Sequence, residues 1–197
     1  IMPLGAFKAA LMGTAGVSAA GDVVLLSTQT ASDSTSLDFT SGITSTYGEY
    51  IFKFYNINSA TDNVQLHFQC STDGGSNYDE TVTSSFFSAW HNEGDDQTGF
   101  AYQTSFDLAE ETSYQRIAAN QDSASDQSSA GELHLFNPAS TTYVKNFYSH
   151  LTEYANSDYN NNDFAAGYFN TTSAVNAIQF KMSSGNFDGK IKMWGVK

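Results

Sequence analysis

Apolar and polar residues alternate one by one near the end of the chain, and this period of two is the pattern of strands with one buried face. The alternation runs through residues 178–182, is interrupted by Ser183, Ser184 and Gly185, and returns in residues 187–193. The apolar positions of the two segments are Ile178, Phe180, Met182, Phe187, Ile191 and Met193. A Ser/Gly turn between two such segments predicts an antiparallel hairpin. Because one face of this hairpin is apolar, a second sheet has to cover it, and the pattern predicts a β-sandwich.

The same period of two recurs between residue 22 and the terminal segment, most clearly in residues 63–71. We predict further strands at residues 23–27, 37–39, 49–57, 63–71, 86–90, 99–106, 114–118, 132–136 and 143–154. Long polar loops are predicted at residues 121–130 and 156–163. About ten strands separated by short turns predict an all-β fold, an antiparallel β-sandwich of jelly-roll type, over residues 22–197.

Residues 1–21 differ from the rest of the chain because they are small, apolar and nearly uncharged. Leu4, Phe7 and Leu11 stand at helical spacing and form one short apolar stripe. Such a stripe cannot be buried by the segment alone, so we predict an N-terminal arm that docks on a partner subunit. A cleavable secretory signal built around Lys8 and a frayed terminus remain alternative interpretations.

The composition is that of a single domain whose surface relies on uncharged polar groups. The chain has 197 residues, of which only 15% are charged, and it is rich in Ser, Thr, Asn and aromatic residues. This combination is typical of extracellular or virion β proteins. The one cysteine, Cys70, falls on an apolar strand face, which predicts a buried thiol rather than a nucleophile.

The charge balance argues against nucleic acid as a partner. The formal net charge is −13, and Arg116 is the only arginine. Binding to duplex DNA requires several Lys or Arg side chains at the phosphates, and the sequence has no basic cluster. No apolar run reaches the length of a transmembrane helix, so membrane insertion is not expected either.

The titratable residues form no recognisable catalytic arrangement, so we predict a protein that is not an enzyme and has no cofactor. The four histidines are scattered, and two of them, His67 and His134, alternate with apolar residues, which predicts that they face solvent. No Gly-x-Ser-x-Gly motif occurs. The acidic pairs Asp95-Asp96 and Glu110-Glu111 could serve a glycosidase, but adjacent acidic residues in loops are far more often simply solvated.

Calcium is the one metal for which the sequence offers candidate ligands. Asp158 and Asp163, together with four asparagines between residues 156 and 162, would place hard oxygen donors in one predicted loop. The spacing does not fit an EF-hand. Asparagine-rich loops also form turns without any metal, which is the alternative interpretation.

The two tryptophans are candidates for glycan binding or for contacts between subunits. Trp90 is followed by His91 and Asn92, and Trp194 is predicted to share a face with Lys190 and Lys192. Sugar-binding sandwiches present an aromatic ring among Asn, Asp and Gln side chains. Packing within the core or in a seam between subunits is the alternative, because aromatic residues dominate the interior of such folds.

Several segments together resemble one family, the β-sandwich virion proteins encoded by tailed phages, particularly those of marine bacteria. The segments are Phe52-Lys-Phe-Tyr-Asn-Ile, Leu66-His-Phe-Gln-Cys-Ser-Thr-Asp-Gly-Gly-Ser-Asn-Tyr, Gly131-Glu-Leu-His-Leu-Phe-Asn-Pro, Ile178-Gln-Phe and Ser184-Gly-Asn-Phe-Asp-Gly-Lys-Ile-Lys-Met-Trp-Gly-Val-Lys. The resemblance covers residues 37–197, and it departs from the family at Trp194, where Tyr is usual. Proteins of this family are labelled tail-fibre, tail or unassigned structural proteins.

The resemblance implies a structural role without an active site. It leads us to expect a virion protein on the phage particle surface, of the tail-fibre, vertex-fibre or head-decoration type. The arm is expected to contact other virion proteins, the chain to form a homo-oligomer, with a trimer favoured, and the surface to contact host glycans. The alternative is a carbohydrate-binding β-sandwich module of a secreted bacterial protein.

Overall fold

The computed structural model of the protein describes residues 22–197, which form thirteen strands and one short 3₁₀ turn. The strands are β1 (Val23–Ser34), β2 (Leu37–Phe39), β3 (Glu49–Ser59), β4 (Val64–Ser71), β5 (Val82–Asn92), β6 (Thr98–Tyr102), β7 (Ala109–Glu111), β8 (Gln115–Gln121), β9 (Ser129–Phe136), β10 (Lys145–Ala155), β11 (Tyr159–Phe169), β12 (Ala177–Met182) and β13 (Phe187–Val196). The predicted all-β antiparallel sandwich is confirmed. The predicted arm, with Leu4, Phe7 and Leu11, lies outside the described residues.

The strands form two antiparallel sheets that face each other across one core. The larger sheet has the order β1-β13-β3-β9-β10-β11-β5, and β6 and β7 both pair with β5. The smaller sheet has the order β8-β4-β12-β2. The two sheets join where Ala155 at the end of β10 pairs with Gln121 of β8. At the far edge, Nε2 of Gln29 in β1 donates a hydrogen bond to the carbonyl of Asp38 in β2 at 2.6 Å.

Phe180 lies at the centre of the core, where aromatic rings from both sheets meet. Its ring centroid is 5.3 Å from that of Phe52 and 5.2 Å from that of Phe54, both in the larger sheet. Phe39 and Phe68 approach it from neighbouring strands of its own sheet, at 6.1 and 6.2 Å. Since period two places every second residue of β3, β4 and β12 on this side, the alternation in the sequence accounts directly for the packed layer.

The terminal segment alternates as predicted, but it does not form a hairpin. β12 pairs with β4 and β2 in the smaller sheet, whereas β13 pairs with β1 and β3 in the larger sheet. The turn at residues 183–186 therefore carries the chain from one sheet to the other. All six predicted apolar residues are buried, and they face each other across the core instead of lying side by side. Periodicity identifies the buried face of a strand and says nothing about which strand lies beside it, and this is why the hairpin prediction was wrong.

The predicted polar loop at residues 156–163 was also wrong, because most of it belongs to β11. Only Asn156–Asp158 form a turn, in which Ser157 and Asp158 adopt positive φ angles of 60° and 62°. The chain then returns as β11, which pairs along its whole length with β10 on one side and β5 on the other. Asparagine is uncommon in strands, but pairing on both sides outweighs the weak local preference here.

Candidate functional site

A cavity of about 390 Å³ opens at the end of the sandwich where β10 turns into β11. We call it the Trp90 cavity. The side chains that matter below come from four parts of the fold and are Ser88, Trp90, Gln103, Phe106, Asn120 and Asn161. β5 and β11 supply its wall in the larger sheet, and β8 of the smaller sheet closes the opposite side.

The register of β5 and β11 explains why a polar cavity follows an apolar core. Along the inner face of these strands, Phe86 pairs with Ala165, and both side chains are buried in the core. The next inward pair is Ser88 with Asp163, and the one after it is Trp90 with Asn161. The inner face thus changes from apolar to polar within two residues, and the cavity lies where the change is complete.

Trp90 is held in place by a glycine on the neighbouring strand. Gly99 of β6 is its partner in the register, and the indole packs directly against it. A Cβ atom at position 99 would come within 2.6 Å of Cε2 of the indole, so only glycine leaves room for the ring. The Trp90 side chain is half-buried and lines the cavity.

Two carboxyl groups, Glu153 and Asp163, lie directly behind the cavity wall, and both are buried. Oε1 of Glu153 accepts hydrogen bonds from the backbone N–H groups of Ala119 and Asn120, at 3.2 and 2.9 Å, and from Nδ2 of Asn161 at 3.2 Å. Oδ1 of Asp163 accepts a hydrogen bond from the Ser88 hydroxyl at 2.6 Å. The pair therefore anchors four residues that line the cavity.

The remaining oxygens of the two carboxyl groups require a shared proton. Oε2 of Glu153 and Oδ2 of Asp163 are buried, and neither has a hydrogen-bond donor among residues 22–197. The two carboxyl groups are within hydrogen-bonding reach of each other. Burial, followed by the charge of Asp163, raises the pKa of Glu153 to about 8, and burial raises the pKa of Asp163 to about 6. Both carboxyl groups are therefore easier to protonate than usual, and a single proton held between the two oxygens would satisfy both.

Arg116 provides a positive charge that acts on this pair through Asp163. Its charge favours the ionised form of Asp163, which opposes part of the effect of burial on the pKa of that carboxyl group. The guanidinium group lies 3.9 Å from the ring centroid of Phe106, which lines the cavity. The positive charge of Arg116 therefore partly compensates the negative charge that Asp163 carries when it is ionised.

A second feature is an exposed band of aromatic rings on the outer face of the larger sheet. We call His150, Phe164, Phe87, Phe100 and Tyr102 the aromatic band. His150 stacks on Phe164 with centroids 4.2 Å apart, Phe164 stacks on Phe87 at 4.9 Å, and Phe87 contacts Phe100 at 5.4 Å. Phe100 is 70% exposed and Tyr102 is 51% exposed. The band crosses β10, β11, β5 and β6 at right angles to the strands.

The two tryptophans that the sequence suggested for glycan binding or subunit contacts lie on different parts of the structure. Trp90 points inward into the cavity, whereas Trp194 lies on the outer face, on the side of Lys192 as predicted. Trp194 pairs with Leu25 of β1 and Ile51 of β3, near the other edge of the same sheet. The two indoles therefore belong to different surfaces, and Trp194 is not part of the Trp90 cavity.

The candidate calcium ligands do not share a loop. Asp158 is exposed in the turn, where it accepts a hydrogen bond from the Tyr154 hydroxyl at 2.9 Å. Asp163 lies inside β11 and belongs to the buried carboxyl pair. Within residues 22–197 no group of three or more His, Cys, Asp or Glu side chains is placed to hold a metal ion.

The prediction that His67 and His134 face solvent was wrong. His134 is buried and stacks on Tyr148, with centroids 4.4 Å apart, and its Nδ1 lies 2.5 Å from Glu49. His67 is half-buried, and burial together with the charges of Arg116 and Lys181 lowers its pKa to about 4. Both histidines lie on the outer side of their strands, but neighbouring side chains cover them there. Cys70 is buried as predicted, and burial raises the pKa of its thiol.

Sequence reasoning missed Glu153, although a signal for it was present. In β10 every second residue from Lys145 to Ala155 is buried, and Glu153 falls on that inward set together with Phe147 and Leu151. A charged residue at an inward position of a strand indicates either a buried partner or an altered protonation state.

Comparison of the chain with protein-family models, with curated proteins and with solved structures finds no match. Among residues 22–197 there is also no helix long and apolar enough to cross a membrane. The fold and the two surface features therefore define the class: an all-β antiparallel sandwich with a polar end cavity and an exposed aromatic band.

Proposed function

We propose that the protein is a non-enzymatic structural protein of the surface of a tailed-phage particle. The observation that carries this proposal is the aromatic band, because it offers a contact surface on a face where a solitary domain would carry polar side chains. The resemblance of residues 37–197 to phage virion proteins supports the same role. In this role the arm and the aromatic band bind neighbouring virion subunits, while the Ser/Thr/Asn-rich loops face water or the host.

The exposure of the aromatic band indicates that these rings bind a partner and do not serve only to pack the domain itself. Contiguous exposed apolar patches on soluble proteins usually mark interaction sites, and aromatic residues are enriched at the centres of interfaces. Stacked rings also present a rigid surface, since each ring loses little freedom when a partner covers it. With a net charge of −13, copies of the chain repel one another, so contacts between copies require such uncharged surface.

The buried carboxyl pair supports the non-enzymatic part of the proposal. Glu153 is 2% exposed and Asp163 is 0% exposed, so a substrate has no access to either group. General acid–base catalysis requires the catalytic group to lie within hydrogen-bonding reach of the substrate. The pair instead shapes the groups in front of it.

Self-association of the full chain tests the aromatic band directly. We expect sedimentation of the purified chain to show an oligomer, with a trimer favoured, and Phe100→Ser to weaken association at least tenfold. Tyr143→Ser is the matched control, because Tyr143 is 72% exposed but lies in the loop before β10, away from the band. If both variants and the unaltered chain associate equally, the aromatic band does not take part in self-association.

Incorporation into particles tests the virion role itself. Antibodies against the chain should label intact particles from the phage that encodes it, and deletion of residues 2–16 should abolish incorporation. A chain that is absent from purified particles would refute the virion role, whatever its oligomeric state.

The Trp90 cavity favours a second candidate function, which is carbohydrate binding. A half-buried indole surrounded by side-chain amides is an arrangement that suits a sugar ring. A secreted bacterial module and a virion protein that contacts host glycans share this property, so it does not by itself distinguish them.

A further inference from the structure

We propose that the Trp90 cavity binds one ring of an uncharged sugar, and that the carboxyl pair behind its wall holds Asn161 and Ser88 in the orientation that the sugar requires. This proposal rests on the second candidate function above. It adds the class of ligand and assigns Glu153 and Asp163 as positioning residues.

The volume of the cavity limits the size of the ligand. Its 390 Å³ lies at the lower end of the range of roughly 300–1,000 Å³ that small-molecule sites occupy. A single pyranose with a few waters fits this space, and a longer oligosaccharide would have to extend into solvent. Because the cavity opens at the end of the sandwich and not on a sheet face, further sugar residues can leave through its mouth.

The lining combines an apolar surface with groups that both donate and accept hydrogen bonds. Trp90 and Phe106 supply aromatic surface for the apolar face of a sugar ring. Gln103 and Asn120 contribute side-chain amides from two sides of the cavity. Hydroxyl groups around a pyranose also act as donors and acceptors, so the two inventories match.

The charges around the cavity argue for an uncharged ligand. The carboxyl pair with one shared proton carries one negative charge, and Arg116 lies close enough to affect the charge state of Asp163. An anionic sugar would approach a chain with a net charge of −13 and meet the ionised carboxyl group behind the wall. A cationic sugar would find no exposed carboxylate among the side chains that line the cavity.

The hydrogen bonds of the carboxyl pair fix which atoms face the ligand. Asn161 uses Nδ2 to donate to Glu153, which leaves its Oδ1 free to accept a hydrogen bond. Ser88 uses its hydroxyl hydrogen on Asp163, which leaves the lone pairs of Oγ free. Both residues therefore present acceptors, and a sugar hydroxyl is a suitable donor to each.

Tryptophan fluorescence can report binding because the chain contains only two tryptophans. In the full-length Trp194→Phe chain, Trp90 is the only indole. The probes are the methyl glycosides of glucose, galactose and N-acetylglucosamine, with methyl glucuronide as the anionic match to the glucoside. We expect saturable binding of at least one uncharged glycoside with a Kd of about 1–10 mM, and binding of the glucuronide at least tenfold weaker. Calorimetry should show at least a tenfold loss for Trp90→Ala.

The outcomes separate the parts of the proposal. If none of the three uncharged glycosides binds at about 100 mM, which is 100 times the lowest expected Kd, carbohydrate binding at this cavity is refuted. Binding of the glucuronide as tight as that of the glucoside would leave carbohydrate binding in place and refute the uncharged class. Undiminished binding by Trp90→Ala would place the sugar elsewhere.

The pH dependence of sugar binding tests the positioning role. The titratable group that faces Glu153 is Asp163 on β11. The charge of Arg116 on β8 acts on Asp163, and His67 on β4 lies close enough to Arg116 for that charge to lower its pKa. Loss of the shared proton disrupts the arrangement, so binding by the unaltered chain should weaken at least threefold between pH 6 and pH 9. Glu153→Gln keeps the acceptor oxygen for Asn161 and donates an N–H to Asp163, so its binding should stay constant over this range.

A thermal melt at each pH establishes that both chains are folded where binding is measured. Parallel pH profiles for the unaltered chain and Glu153→Gln would refute the positioning role while leaving the sugar site intact. A flat profile for the unaltered chain would refute it as well.

Discussion

Replacing Glu153 by glutamine should stabilise the protein, and the gain should grow with pH. In the folded chain the pKa of Glu153 is raised from its ordinary value of 4.5 to about 8, mainly by burial. A raised pKa means that the folded state keeps a proton that the unfolded state has released. The contribution to stability is therefore complete below pH 4.5 and is lost as the pH rises towards 8. Glutamine has no such proton, and it keeps the hydrogen-bonding shape of the protonated carboxyl group.

The size of the effect follows from proton linkage. The free energy of unfolding of the unaltered chain falls by about 1.4 kcal/mol for each pH unit over which only the folded state keeps the proton. From pH 4.5 to pH 7 the advantage of Glu153→Gln should therefore increase by about 3 kcal/mol. Asp163 remains in both chains, and burial, which is the main cause of its raised pKa, is the same in both.

Urea unfolding at pH 5, 6, 7 and 8 measures this difference directly. Glu111→Gln is the matched control, because Glu111 is exposed in β7. The free energy of unfolding of this variant should follow that of the unaltered chain at every pH. The reasoning would be refuted if Glu153→Gln and the unaltered chain differed by the same free energy at pH 5 and pH 8. A difference that shrank with pH would be equally contrary to it.

Four further substitutions test the packing. Ile191→Asp should reduce the free energy of unfolding by about 4 kcal/mol because it buries an unpaired carboxylate. Lys192→Asp, on the outer face, should reduce it by less than about 1 kcal/mol. Equal losses in urea unfolding would contradict the assigned faces. Phe180→Ala should cost about 3–5 kcal/mol by leaving a cavity at the centre of the core, and a loss below about 1 kcal/mol would show that the rings around it close the gap. Gly99→Ala should displace the indole of Trp90 and shift its fluorescence emission, so an unchanged spectrum in the Trp194→Phe background would contradict the close packing of these two residues.

The sequence predicted which face of a strand is buried, but it did not predict which strands pair with each other. The inward residues of β3, β4, β12 and β13 follow from period two alone, because burial of one face makes apolar and polar residues alternate within the strand. The neighbours of β12 and β13 did not follow, since pairing is decided by contacts between residues far apart in the chain. β11 was missed for a related reason: its asparagines favour turns locally, and only β10 and β5 on either side make the segment a strand.

The candidate site was predictable only in part. Trp90 stood out by residue type, but its distance from Trp194 depends on the order of strands in the sheet. Glu153 and Asp163 belong to strands that meet through the turn at Asn156–Asp158, so their proximity required the correct assignment of β11. The protonation of the pair depends on burial in three dimensions, which no single strand pattern contains.

The passage of the chain between sheets at residues 183–186 has a consequence for how the protein is made. β13 lies between β1 and β3, so two of the earliest strands have no direct contact through the sheet until residues 187–196 have left the ribosome. Until then the aromatic rings of β3 and β4 lack the layer that β12 and β13 complete. We therefore expect residues 22–186 to remain without their full core until residues 187–196 are available, and the domain to fold in one late step. A domain of this kind exposes apolar strands until its last strand arrives, so we expect it to depend on chaperones while it waits.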